Sequence, residues 1–455
     1  MTNTRNEILA GLLHESGWTQ VELARAFVAV AREQNRTELY ATGQAHISFW
    51  IRGGRPRGRA PHILAETLTR KLRRTVTVAE LGYASAGPAP GTPLWGADPV
   101  AALTDLGGDA VDRRTFLKDS AFSGAALVVP VPRWWQDAPR ALRTRPATGR
   151  QIGASEVSQI REFTDLFSAV DQKHGGGFGR AALRTHLHVE VTPLLRARAA
   201  DSVRASLYAA AGEMAYLVGW MAFDAAAHGE AQRYFALAAR LAAEAADGPL
   251  AGHILRAMAH QAADLGHPRA ALDFAEASMD KDRHGRAAPR ERALLSIVHA
   301  RALAATGDRR GTLAAISRAE ADLARDGGDG PARAEFFGPA ALAHEAACAL
   351  QDLGHLPDAQ IQFERSVTLR AADTYRRTHS VTLGYLGALH IRQGRTDEAV
   401  ARWSQALDTM NGVRSGRARQ VVERMRVDLS PYRRRGPVAV RELDQRAAEM
   451  ARTIG

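Results

Sequence analysis

Apolar residues recur along this chain at the three- and four-residue spacing that marks one face of a helix. Ile8, Leu9, Leu12 and Leu13 form the first such stripe and predict a helix over residues 6–16. Thr19 then stands as N-cap to a second helix that opens Gln20-Val21-Glu22-Leu23-Ala24. The stretch Gln44–Gly53 predicts a short third helix. Ile47 and Trp50 lie one turn apart on its buried side, and Gln44, Ala45, His46, Ser48 and Phe49 are left near its start and on its outer face. Gly53-Gly54 stops it. A fourth helix over 61–74 turns Ile63, Leu64, Leu68 and Leu72 inward, and Val76–Tyr83 closes a domain of residues 1–83.

Residues 84–150 read as a linker, because Ala84–Gly96 is rich in Ala, Pro and Gly, which neither pack nor hold a helix. Within it, Asp112–Lys118 and the apolar run that follows resemble a twin-arginine export signal. Such signals act at an N-terminus, so a short linker helix is expected instead, with Phe116, Leu117 and Phe122 docking on a neighbouring domain and Trp134-Trp135 as a second anchor. From Ser155 the chain is helical by pattern. Residues 151–200 hold a helical pair broken at Gly175-Gly176-Gly177, and a repeat follows over 201–411. Its units turn at Ala226, Gly266, Gly307, Gly354 and Gly394, spaced 40, 41, 47 and 40 residues apart. Seven residues before each turn, and five and twelve after it, all fifteen positions are small. Residues 412–455 are left as a basic helical tail.

Charge changes the picture because it is uneven. The net +11 of the 455 residues lies wholly in residues 1–83 and 412–455, and the middle balances at 37 basic against 37 acidic side chains. Arg52–Arg74 alone holds eight basic residues against Glu66, an electrostatic footprint for a polyanion. The single cysteine, Cys348, excludes an internal disulfide and fits a reducing cytoplasm. No apolar run is long enough for a membrane span.

The N-terminal pattern resembles helix-turn-helix regulators of the lambda-repressor-like (XRE) class, whose second helix begins Thr-Gln-x-x-Leu-Ala and whose reading helix ends Trp-x-Arg-Gly. Here these are Thr19–Ala24 and Trp50–Gly53. The resemblance implies that Gln20 clamps a phosphate and that Gln44, Ala45, His46, Ser48 and Phe49 face the major groove of double-stranded DNA. Arg52, Arg55, Arg57 and Arg59 would take phosphates. The chain departs from the pattern at Ile51, often acidic in that class. It also departs in the twenty positions from Ala24 to Gln44, where a longer second helix over Phe27–Glu33 and a polar loop over 35–42 are expected.

The small positions of the repeat are those where a tetratricopeptide hairpin brings its two helices close. Together the halves resemble regulators common in actinobacteria, all-α proteins that join an XRE-like domain to a tetratricopeptide α-solenoid. The resemblance implies a concave groove for a peptide, small-molecule or protein effector, lined by Tyr216, Trp220, Asp224, Arg256, His260, Asp264, Arg301, His344, Asp352 and Arg392. Asp224, Arg256 and Asp264 are expected there as accessible charges. The array is also the expected surface for any pairing of two copies. The alternative is an interaction scaffold whose basic domain no longer reads DNA. Enzyme chemistry is not expected: His186, His188 and Glu190 would converge only on a strand, Gly175–Gly179 lacks the lysine of a phosphate loop, and no cofactor or metal site is indicated.

Overall fold

The computed structural model describes residues 5–34, 36–57, 59–74, 76, 78, 80–81, 95, 98–108, 122–432 and 437–454. Among them every regular element is a helix, and extended pairing is confined to one bridge between Gln151 and Arg198.

Four helices make the head: α1 (Glu7–Ser16), α2 (Gln20–Glu33), α3 (Gln44–Ile51) and α4 (Ala60–Leu72). Thr19 caps α2 reciprocally, its hydroxyl accepting from Glu22 N at 3.2 Å while the Glu22 carboxylate accepts from Thr19 N at 2.8 Å. Leu9, Leu23, Phe27, Ile47, Leu64 and Leu68 form the core, and the Phe27 and Trp50 rings meet at 5.5 Å to set α2 against α3. Ile8 departs from its expected place and is 55% exposed; the buried stripe of α1 is Leu9, Leu12 and Leu13. The long interval before α3 is taken up by the extension of α2 to Glu33 and a single 3-10 turn, Thr37–Leu39.

The described part of residues 84–150 is packed rather than open. Helices α5 (Pro99–Gly108) and α6 (Pro132–Thr144) bury Val100, Leu103, Ala138 and Leu142. Phe122 meets the ring of His267 at 5.5 Å, and Trp135 lies under the Arg283 guanidinium at 4.3 Å. The Asp112–Lys118 motif, with Phe116 and Leu117, falls outside the described residues.

Beyond them α7 (Ala154–His174) and α8 (Arg180–His186), the latter prolonged by a π-turn at Leu187–Val191, lead into six antiparallel hairpins. These are α9 (Asp201–Asp224) with α10 (His228–Glu244), α11 (Gly248–Asp264) with α12 (Pro268–Ser278), and α13 (Pro289–Thr306) with α14 (Arg309–Leu323). Then come α15 (Pro339–Asp352) with α16 (Leu356–Leu369), α17 (Arg376–Arg392) with α18 (Thr396–Thr409), and α19 (Gly416–Leu429) with α20 (Val438–Thr453).

All five turn residues read from the sequence adopt the left-handed conformation: Ala226 at φ 61°, and Gly266, Gly307, Gly354 and Gly394 at 78°, 84°, 80° and 76°. Four are glycine because a Cβ is disfavoured there; Ala226 accepts that penalty of about 1 kcal/mol. All fifteen small positions are buried. At Gly387 the reason is direct, since a Cβ would stand 2.4 Å from the Trp403 ring.

The described residues of 412–455 are helical, and α19 and α20 pack on each other and on the array, with Val421, Val422, Met425, Val440 and Leu443 in their core. The row also curls until its ends touch. Gly177 N donates to Arg414 O at 2.8 Å, and Arg414 N donates to His174 O at 2.7 Å. Gly176 is required at this seam, because a Cβ would lie 2.2 Å from the Met221 carbonyl oxygen. No described helix is long and apolar enough to cross a membrane.

Candidate functional site

Two regions concentrate the chemistry that the sequence singled out. The first is α3 and the loop after it. Ile47, Trp50 and Ile51 are buried, and this fixes which way the helix faces. Gln44, Ala45 and His46 are exposed, Ser48 is half-buried, and Phe49 is 49% exposed with its ring lying over Gly54. His46 has a second role, its Nδ1 accepting from Gly43 N at 3.2 Å to close the start of the helix. Gln20 is half-buried at the start of α2.

The arginines divide. Arg52, Arg55 and Arg57 are exposed and make no ion pair with any described residue, and Arg59 is half-buried. Arg70 is instead half-buried between Glu33 at 2.5 Å and Glu66 at 2.8 Å, and Arg74 pairs with Glu15 at 2.9 Å. The footprint of eight basic residues is therefore narrower than its sequence density. The α4 face that carries Glu66 docks on the array, where Glu66 meets His267 at 2.8 Å. Burial would raise Glu66, but the His267 hydrogen bond and the Arg70 charge hold it below the usual carboxylate range.

The second region is a chamber inside the curl of the array. About 760 Å³ there is unfilled by protein and partly continuous with solvent, of which about 70 Å³ admits the centre of a water-sized atom. Trp220, Arg256, His260, Asp264, Arg301 and His344, all expected in the groove, line this one space. Asp264 lies at its more exposed edge, clasped by Arg417 and by Arg301 at 3.1 Å. Burial would raise this carboxylate, yet Arg417, His260 and Arg301 hold it well below its ordinary value. Glu345 is likewise brought to about 2 against burial, by the charges of His260 and Arg301.

Four of the expected residues stand elsewhere. Tyr216 lines a smaller neighbouring pocket and takes a 2.6 Å hydrogen bond from Arg256. Asp352 and Arg392 are exposed near the ends of α15 and α17, outside the chamber. Asp224 corrects the expectation of an accessible charge. It is 0% exposed and accepts from Gly176 N at 2.8 Å, Ser415 Oγ at 2.9 Å and Arg377 Nη1 at 3.2 Å, so it ties four segments of the seam together. Arg256, 2% exposed, is also not an accessible charge: Tyr216 holds it, and it lies over the Trp220 ring at 5.4 Å.

The chamber also uses Glu345, Arg370, Arg377, Tyr385 and Arg417, which sequence reasoning missed. The cause is twist. Counted back from each turn, lining positions lie two to ten residues away on α11, nine to thirteen on α15, and nine to seventeen on α17. A rule of fixed register therefore drifts off the chamber as the row turns. The Arg377, Val381, Tyr385 spacing, one face of a helix, was the signal available.

His188 is held by Tyr234 OH at 2.6 Å, and burial lowers its pKa to about 4. Cys348 is buried, which pushes its thiol up. No group of three or more metal-binding side chains occurs among the described residues.

A family model described as SP15 N-terminal domain matches residues 9–84, the span of the head. No curated protein matches the chain.

Proposed function

We propose that this chain is a DNA-binding regulator, with a helix-turn-helix head that reads duplex DNA and a tetratricopeptide-like array that receives an effector in the cytoplasm. The observation that carries the reading is α3. A helix held by the buried Ile47, Trp50 and Ile51 presents Gln44, Ala45, His46 and Phe49 to solvent, with three exposed arginines directly after it that pair with no described residue. That arrangement supplies base-edge contacts from the helix and phosphate contacts from the loop. The array docks through α4 and leaves the α3 surface exposed. The first five hairpins, each with a left-handed turn and three small buried residues, support the tetratricopeptide-like assignment.

Capture of genomic fragments by the full-length protein at low salt tests the reading. Binding that falls steeply with salt is expected, since each phosphate contact releases counterions. If the folded chain ignores DNA at low salt, the scaffold reading takes its place.

A further inference from the structure

The chamber wall holds more guanidinium groups than its carboxylates serve. Asp171 and Asp224 both lie against Arg377, at 3.1 and 3.2 Å. Asp264 serves Arg301 and Arg417, and Glu345 serves Arg301 at 3.1 Å. Arg256 and Arg370 have no carboxylate partner among the described residues, although they are only 2% and 8% exposed. Arg370 bonds to Ala340 O at 2.9 Å and Ser366 Oγ at 3.1 Å, both neutral acceptors. Arg256 has Tyr216, His253 and two aromatic faces. In both, Nε has no hydrogen-bond partner among the described residues. Burying a cation without a counterion is expensive, and cation–π contact offsets only part of it. Burial and the like charge of Arg377 draw the Arg370 guanidinium down to about 10.

We propose that the chamber binds a compact, multiply charged anion, a metabolite bearing phosphate or several carboxylates, held by Arg256 and Arg370. Its size agrees. The 70 Å³ open to atom centres corresponds to on the order of five waters, which suits a small ligand better than an extended peptide. Asp264 and Glu345 are already matched by arginines, so they leave the two unpaired guanidiniums as the attractive groups for an entering anion. The regulatory consequence, that this anion is the effector of DNA binding, rests on the function proposed above; the binding itself does not.

The test is calorimetric titration of the full-length protein, without DNA, using inorganic phosphate, pyrophosphate and citrate at constant ionic strength. Tryptophan fluorescence is followed in parallel, because Trp220 forms part of the wall. At least one anion should bind with Kd below about 1 mM. Preference for pyrophosphate marks a phosphorylated ligand, and preference for citrate a polycarboxylate. R256Q/R370Q should weaken binding roughly tenfold or more, the scale of a lost charge-assisted hydrogen bond. R55A/R57A, in the head, should leave it unchanged. If the chamber variant does not fold, W220F decides instead: it should abolish the fluorescence response while the heat of binding persists. Absence of binding by all three anions, loss of binding in R55A/R57A, or a fluorescence response that survives W220F would each overturn the proposal. Anion binding without any DNA binding would leave this site standing and remove the regulator reading.

Discussion

Arg55 and Arg377 are the same side chain set to opposite uses. In the head, Arg52, Arg55 and Arg57 are exposed and pair with no described residue, where a guanidinium adds little to stability and remains available to a phosphate. In the array, by contrast, Arg377 is buried and shared between Asp171 and Asp224, and Arg333 is shared between Glu291 and Glu213. The chain has 60 basic residues, and their abundance alone says nothing about which use each serves. Burial decides it. A charge removed from the exposed loop after α3 should change what the protein binds, whereas a buried charge removed from an ion pair of the array should change whether it folds.

The largest expected effect comes from acid. Burial lowers the pKa of His228, His253 and His344 to about 3, so the unfolded chain takes up their protons first as pH falls below the ordinary 6.5. Stability present at neutral pH is lost from 6.5 downward, by roughly 2 kcal/mol for each of the three at pH 5. Asp171 opposes this in part. Burial raises it to about 6 despite Arg377, so its contribution is full below the usual carboxylate value and fades as pH rises through 6. Thermal melts from pH 7.5 to 5 should show a falling Tm for the array, and a flat profile would contradict the buried, neutral histidines.

Asp224→Ala comes next. It leaves Arg377 with half its ionic partnership and strips Gly176 N and Ser415 of an acceptor, at about 3–5 kcal/mol. Chemical denaturation should register this as a lower midpoint, and an unchanged midpoint would mean that Asp224 is not a structural charge. Gly387→Ala should cost about 1–3 kcal/mol by forcing Trp403 aside. The smallest stability change, within about 0.5 kcal/mol, belongs to R55A/R57A. Yet this pair should lower the slope of log affinity against log salt by roughly 1.8, as two lost phosphate contacts require. Equal stability losses in R55A/R57A and Asp224→Ala would erase the distinction between the two regions.

Much of this was legible because it depends on local sequence. Left-handed turns demand glycine, close helix crossings demand small residues, and the sides of α3 follow from two apolar residues a turn apart. What escaped depends on distant parts of the chain. Asp224 reads as a groove residue until Arg377, 153 positions away, is known to reach it. Trp95 illustrates the same limit: it sits in a Pro- and Gly-rich stretch, yet its indole donates to Val128 O at 2.8 Å. Gly175–Gly177 reads only as a break between two helices, yet its glycines serve the passage of one backbone against another.

That seam bears on how the array can change over evolutionary time. Open solenoids gain and lose units readily, because each repeat touches only its neighbours. Here the carbonyl of His174 and the amide of Gly177 meet the backbone of Arg414 from the far end of the row. Deleting or duplicating a hairpin would carry Arg414 out of reach and open the chamber with it. The number of units is thereby fixed by closure, as the number of staves is in a barrel, so variation is confined to what each unit presents on its surface.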